Sequence, residues 1–327
     1  MQLAERYNSI STVLQKKYGT KVYKLALESG TTCPNRDGTL SDCGCSFCSA
    51  GGSGDFASKG ADFSADGINK AISDAISRVS AKLKNVEKPL FIPYFQSYSA
   101  TYAPAHVLRE RFFAAINHPL AAELAVATRP DTISDEVLEL LKELSKIKPV
   151  TVEMGLQTAD DTVAEFHNRK CPTEKYKEAV ERLKDAGIGT VLHMIAGLPC
   201  PPEYGCDYDG HPRRLESRGS ILETASYIAS LKPDGIKIHM LHVMEGTRLG
   251  ESFKKGAFRE LQLQEYADIL CDVIESLPGG IAVHRITGDA PKKLLLAPMW
   301  SGDKKKVLAA VSKRMAERNT YQGKNRG

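Results

Sequence analysis

The sequence is poor in aromatic residues, with one tryptophan and 7% Phe, Trp and Tyr together in 327 residues, and no apolar run in it is long enough to cross a bilayer. That excludes a helical membrane protein. Internal repeats and low-complexity tracts are also absent, which argues against a solenoid and against a disordered chain. The first residues, MQLAERYNSISTVLQKKYG, mix charge with apolar residues at helical spacing and lack the uninterrupted apolar segment of a secretory signal, so the cytoplasm is the expected compartment. Cysteine is sparse. Eight are too few to staple a chain of this size, and a reducing compartment favours metal binding or catalysis for them.

What is present is an ordinary soluble composition, 42% hydrophobic and 26% charged, in a chain long enough to bury a full core. The formal net charge of +4 is unevenly spread, because residues 292–327 hold ten Lys or Arg against two acids. A basic tail on a mildly acidic body fits a polyanionic partner such as RNA, through release of phosphate counterions. It fits a solvated terminal helix equally well.

Short β-branched or apolar runs recur as VYKLAL near 22, PLFIPYF near 89, ELAVAT near 123, VTVEMGL near 150, TVLHMIAGL near 190 and GIKIHML near 235. Each is followed by apolar residues three and four apart, such as Val137, Leu138, Leu141 and Leu144, with Ser134 and Thr173 placed as helix N-caps. Alternating strands and helices imply parallel strands joined by right-handed crossovers, here six units of an incomplete α/β barrel. The expected organisation is an N-terminal helix in 1–20, a core barrel over 21–245, and a C-terminal α/β extension over 246–327 with a strand after 280 and a basic helix from Lys304 to Arg318. The first loop is much longer than the later ones, and long loops at the C-terminal ends of barrel strands are where active sites sit. A second polar loop, 200–219, is inserted after the fifth strand.

That first loop contains TTCPNRDGTLSDCGCSFCSAGG. Cys45 and Cys48 form a C-x-x-C pair, and Cys33 completes a three-point thiolate site. Three thiolates fit three irons of a cubane and leave the fourth iron open for the amino and carboxylate groups of S-adenosylmethionine. Zinc is the rival, since Cys43 supplies a fourth thiolate, although Cys43 and Cys45 flank one glycine and would chelate poorly together.

Ordered motifs add to the spacing. CPNRDGT, GCSFC, YFQSYSATYAP, ATRPD, EMGLQT, HMIAGLP, GIKIHMLHVMEGT, HRITGD and LLLAPMW together resemble the YhcC/YtqA-like radical S-adenosylmethionine proteins, relatives of the radical domain of the Elongator catalytic subunit. The resemblance runs from about Tyr18 to Gly323. It implies a TIM-like partial (βα)6 barrel and a 4Fe-4S cluster on Cys33, Cys45 and Cys48, with Cys43 outside the ligand set. It also implies S-adenosylmethionine (SAM) as the second cofactor, cleaved reductively to a 5′-deoxyadenosyl radical. By the same resemblance Phe47 packs against the adenine, Gln96 and Ser97 meet the cofactor amino group or the substrate, and the backbone of Gly197, Leu198 and Pro199 approaches the adenosyl group. The expected Gly and acid after this motif are replaced by Cys200 and the insertion.

Glu153, with Gln157 four residues on, is a charge in an otherwise apolar strand and is expected to point into the barrel at a partner: ribose, substrate or a buried cation. Lys237 and His239 share a strand face and suit an anionic substrate group, so Glu153, Lys237 and His239 are the candidate catalytic residues, with His239 also a cofactor contact. Arg129 with Asp131, and His284 with Arg285, are polar motifs on loops. Cys171, Cys200 and Cys206 have no expected role. The same family is associated with the wobble uridine of tRNA, where 5-carboxymethylaminomethyluridine would become 5-aminomethyluridine, so tRNA and a reductant such as flavodoxin or ferredoxin are the expected partners. A small-molecule or protein substrate, or a non-catalytic zinc-containing RNA-binding protein, are the other readings.

Overall fold

The computed structural model describes residues 3–326 apart from 53, 61, 81–82, 84–85 and 205–214. All six expected strands form: β1 Val22–Leu27, β2 Leu90–Phe95, β3 Leu124–Thr128, β4 Val150–Gln157, β5 Gly189–Ala196 and β6 Gly235–Met240. A two-residue β7, Val243–Met244, leads into the C-terminal extension, which contributes β8, Ala282–Arg285, and β9, Leu295–Ala297. β8 pairs parallel with β6, so the sheet is seven strands in the order β1-β2-β3-β4-β5-β6-β8, curled into a half-barrel, while β7 and β9 form a separate antiparallel ribbon. The extension therefore continues the core sheet across the expected boundary at 245. His284 and Arg285 accordingly lie on a strand and not on a loop.

Period-two alternation divides each strand between two environments. On the outer face Leu25, Leu27, Phe91, Phe95, Leu124, Val126, Val152 and Met154 join the helices in one apolar core. On the inner face Ile92, Tyr94 and Ala125 pack with Leu14 of helix Ile10–Tyr18, which plugs the N-terminal end of the lumen. The terminal segments fasten this plug. Val283 donates its N–H to the carbonyl of Asn8, and Arg6 reaches the carbonyl of Thr320 at 2.9 Å.

Ser134 caps helix Asp135–Ser145 by accepting from the N–H of Val137, as its position predicts. Thr173 does not cap. It is the first residue of helix Thr173–Asp185 behind Pro172, and it donates its N–H and hydroxyl to Asp161 instead. The basic helix forms as Lys304–Glu317 and lies against helix Leu263–Ser276. There Arg314 pairs with Asp268, Arg318 with Asp272 at 2.7 Å and Glu275 at 3.1 Å, and Lys324 with Glu275. Part of the tail's positive charge is thus neutralised internally. No helix among the described residues is long and apolar enough to cross a membrane.

Candidate active site

The cysteine loop leaves the C-terminal end of β1. Thr31 donates its hydroxyl to the carbonyl of Ser99 and Ser99 donates its N–H to Thr32, so the segment after β1 pairs with the segment after β2 and delivers Cys33 to the barrel mouth. Arg36 N–H closes a turn on the carbonyl of Cys33, and Cys48 N–H closes another on Cys45. The Arg36 guanidinium donates to the carbonyls of Cys48 and Ser49 at 2.7 and 2.6 Å, and Asn35 points its amide at the Cys45 sulfur. Cys33, Cys45 and Cys48 are half-buried, whereas Cys43 is exposed, with its sulfur 3.3 Å from the Ser41 hydroxyl.

Burial pushes the Cys45 thiol up to about 12, and the nearby Cys48 and Cys33 add to this while Arg129 opposes it. Burial raises Cys48 as well, with Arg36 opposing and Cys33 adding. Cys45 and Cys48, whose thiols burial keeps protonated, become thiolates when a cationic centre neutralises them. Among the described residues no three His, Cys, Asp or Glu side chains converge on one point. Soft thiolates carried on one loop are the donor chemistry of a 4Fe-4S cubane, which takes one protein sulfur on each of three irons.

A buried histidine ties this loop to the rest of the mouth. His167 Nε2 lies 2.7 Å from the carbonyl of Pro199 and its Nδ1 lies 2.6 Å from the Ser46 hydroxyl. A carbonyl only accepts, so Nε2 carries the proton and Nδ1 accepts from Ser46. Burial pushes His167 down to about 4, keeping it neutral. Its ring packs beside that of Phe47, with centroids 5.8 Å apart. Phe47, itself on the cysteine loop, thus packs against the histidine that joins this loop to Pro199.

The Gly197–Pro199 motif is committed to protein contacts on one side. Gly197 has φ +87°, and a Cβ there would come within 2.7 Å of Leu261. The carbonyl of Leu198 accepts from Glu216 and that of Pro199 from His167. Cys171 and Cys200 are buried, while Cys206 and the middle of the 200–219 insertion, residues 205–214, lie outside the described residues.

Polar atoms without protein partners gather at the same end of the barrel. The hydroxyls of Ser97 and Ser99 and the side-chain carbonyls of Asn35 and Gln157 are buried and unpaired. Each such group costs about 1–3 kcal/mol when left unsatisfied, so a polar ligand would stabilise this rim. Gly54 lies so close over the Ser97 hydroxyl that any side chain there would collide with it. Gln157 adopts a left-handed backbone, φ 62°, after a bulge in β4, an uncommon conformation for a non-glycine residue that turns the chain at the rim. Gln96 donates its N–H to Leu27 and so joins the ends of β1 and β2.

One layer below, Glu153 is completely buried on the inner face. Its Oε1 meets Lys24, and its Oε2 meets Lys237 and, at 3.0 Å, His193 Nε2. Both ammoniums also lie over the Tyr94 ring, at 5.0 Å for Lys24 and 4.6 Å for Lys237. Burial opposes the Glu153 charge, but Lys237, Lys24 and the His193 contact hold its carboxyl well below the usual carboxylate range. Burial lowers Lys237 to about 8 against the pull of Glu153. His193 is lowered to about 4, and His239 and His284 well below their ordinary value, by burial first and by neighbouring cations.

The expected pairing of Glu153 is thus met by two lysines and a histidine. Lys237 and His239 do share the inner face of β6. Arg129 does not present a cation to the lumen: it forks onto Asp131 at 2.9 and 2.6 Å and donates to the carbonyls of Arg169 and Lys170. Lys24, Tyr94, His193 and His167 escaped the motif reading. For Lys24 and His193 a signal existed, since each interrupts an apolar strand in the same parity as its inward-facing neighbours.

Residues 27–200 match the Radical SAM superfamily, and residues 233–317 match the Radical_SAM C-terminal domain. The chain is 39% identical over 320 residues to the uncharacterized protein YtqA of Bacillus subtilis, covering 98% of this chain and 92% of that one. It is 27% identical over 173 residues to the tRNA uridine(34) acetyltransferase of Methanocaldococcus jannaschii, covering 53% of this chain and 29% of the relative. In fold it is similar to the solved structure of Methanocaldococcus infernus Elp3 with an N-terminal deletion, at TM-score 0.64 and 17% identity, over 92% of this chain and 64% of that one. With its cysteine loop at the mouth of a parallel half-barrel, and with more than half of its length matched, the chain belongs to the radical SAM superfamily.

Proposed function

We propose that this protein is a radical SAM enzyme acting on the wobble uridine of tRNA, in a step of the kind that converts 5-carboxymethylaminomethyluridine to 5-aminomethyluridine. The observation that carries the reading is the trio Cys33, Cys45 and Cys48, which sense one another on a loop suspended over a polar lumen. These three thiolates would hold a 4Fe-4S cluster, which when charged by a reductant such as flavodoxin or ferredoxin delivers an electron to the sulfonium of SAM. Asn35 and Arg36 keep the loop in shape, and His167 fixes Ser46 and with it the Cys45–Cys48 turn. Phe47 offers an aromatic face for adenine, and the Ser97, Ser99 and Gln157 atoms without partners offer donors and acceptors to the polar parts of SAM. The peptide groups of Gly197, Leu198 and Pro199 border the same space, and His239 and Glu153 line it from below.

For the substrate, support comes from a tRNA uridine acetyltransferase that shares half of this chain. Lys292, Lys293, Lys305 and Lys306 are exposed and have no acidic partner among the described residues, as a phosphate-binding surface requires. The test is mass spectrometry of tRNA nucleosides from cells lacking the gene and from cells complemented with wild type or Cys48→Ala. Wild type alone should restore the wobble-uridine profile. An unchanged profile on deletion rejects the tRNA reading.

A further inference from the structure

The lumen carries two cations against one anion. Lys24 and Lys237 share the carboxylate of Glu153, and the inward histidines beside them, His193, His239 and His284, are neutral. Arg285, the other cation at this side of the lumen, is already matched by Asp289 at 2.7 Å. A layer with one positive charge in excess, shielded from bulk water, attracts an anion strongly. Donors for that anion are present. Of three N–H groups on each ammonium, Lys24 spends one on Glu153, and Lys237 spends two, on Glu153 and on the Tyr94 hydroxyl at 3.2 Å. The rest have no protein acceptor among the described residues, and 26% and 12% of the two side chains stays accessible. The ring of His284, which feels both lysines electrostatically, lies against Gly235, two residues before Lys237 on the same face of β6, and its Nδ1 is buried without a partner.

We propose that Lys24 and Lys237, bridged by Glu153 and flanked by His284, form a subsite for an anionic group of the substrate, a carboxylate or a phosphate. The subsite stands on the charge and donor arrangement, and only the identity of what carries the anion rests on the tRNA reading. It lies one layer below the cysteine loop, so it would hold the far end of a substrate whose reacting carbon faces the mouth. Glu153 then acts as a positioning residue that keeps the two ammoniums at a fixed separation.

The test titrates the cluster-loaded protein with acetate and, separately, inorganic phosphate at constant ionic strength, following the thermal midpoint, for wild type, Lys24→Gln and Lys237→Gln. SAM binding is measured alongside. Lys24→Gln leaves the Lys237–Glu153 pair in place, so a folded variant is available even if Lys237→Gln is not. One of the two anions should bind wild type about tenfold or more tightly than the variants, the worth of a charge-assisted hydrogen bond, with SAM affinity unchanged. Which anion discriminates decides between carboxylate and phosphate. Equal anion binding by all three proteins overturns the subsite, and so does loss of SAM affinity in place of anion affinity. tRNA turnover that persists while anion discrimination fails sinks the subsite alone. Anion discrimination without any response to tRNA sinks the tRNA reading and leaves the subsite standing.

Discussion

Replacing Glu153 by Gln removes one negative charge and almost no volume, and it leaves two ammoniums facing each other across the Tyr94 ring. Breaking a buried ionic cluster by deleting one partner costs about 3–5 kcal/mol, because the remaining charge stays desolvated. At about 2.1 cal/mol/K of unfolding entropy per residue, a chain of 327 residues loses roughly 1.5 °C of midpoint per kcal/mol, so the expected drop near neutral pH is about 4–7 °C. The pH dependence is more diagnostic than the size. Glu153 titrates well below the usual carboxylate range in the folded state, so its contribution is present above that range and disappears as pH falls through its folded value. Lys237 titrates low, at about 8, so above that pH the folded wild type sheds the proton before the unfolded chain does, and stability linked to Lys237 rises with pH. Without the carboxylate Lys237 titrates lower still, and the variant escapes its repulsion by neutralising. The difference between the proteins, measured by urea denaturation from acid to alkaline pH, should be greatest around pH 6–7 and should shrink toward both ends. A difference that is flat with pH, or below about 1 kcal/mol at neutrality, would refute the assignment of an ion cluster in the lumen.

Four further outcomes are expected. Cys33→Ala, Cys45→Ala and Cys48→Ala should each abolish retention of iron and labile sulfide after anaerobic reconstitution, whereas Cys43→Ala should retain both; iron loss in Cys43→Ala would return it to the ligand set. His167→Ala deletes a side chain bonded to Ser46 and Pro199 and opens a cavity, for a loss of about 2–4 kcal/mol, and alkylation of Cys45 in the cluster-free protein should accelerate. In the tail, Arg318→Ala should destabilise the fold by about 1–3 kcal/mol with little effect on RNA affinity, since the guanidinium is occupied by Asp272 and Glu275. The combined Lys292, Lys293, Lys305 and Lys306 to Ala variant should leave the melting point in place and lower the salt slope of tRNA binding by about 0.7–0.9 for each phosphate contact removed.

Those two tail variants mark where sequence reading of charge stops. Ten basic residues in 292–327 read as one patch, yet Arg314, Arg318 and Lys324 face Asp268, Asp272 and Glu275, one turn apart on a helix some fifty residues upstream. Tertiary pairing of that kind leaves no local pattern. Strands were legible because inner and outer faces alternate, and β8 was visible as an apolar run whose place in the sheet was not. The cysteine loop stood out because thiols on one polar, glycine-rich loop have few structural uses, whereas the choice of Cys33, Cys45 and Cys48 over Cys43 came from the family resemblance and not from spacing. His167 was not, because a lone histidine after a short helix looks the same whether it is solvated or clamped between Ser46 and Pro199. Arg129 shows the converse, a cation conspicuous in the sequence whose donors are taken by Asp131 and by carbonyls forty residues away.

The position of the lysines within the sheet explains why charge and cysteines are kept apart. Lys24 and Glu153 lie mid-strand, and Cys33 is reached only after β1 has ended and paired its tail with that of β2. A fixed charge directly under a redox centre would alter its potential, while the same charge one layer deeper acts on whatever fills the space between. His239, two residues nearer the mouth than Lys237 on the same face of β6 and titrating well below its ordinary value through burial, occupies that intervening depth. With the proposed cluster and anion subsite, a half-barrel built this way would separate two demands that conflict at a single point: a centre whose thiolates need nearby cations such as Arg36, and a substrate grip that needs cations of its own. A grip placed mid-strand, where β1, β4 and β6 each contribute one charged residue to the same layer, would satisfy both with side chains whose backbone is fixed by the sheet.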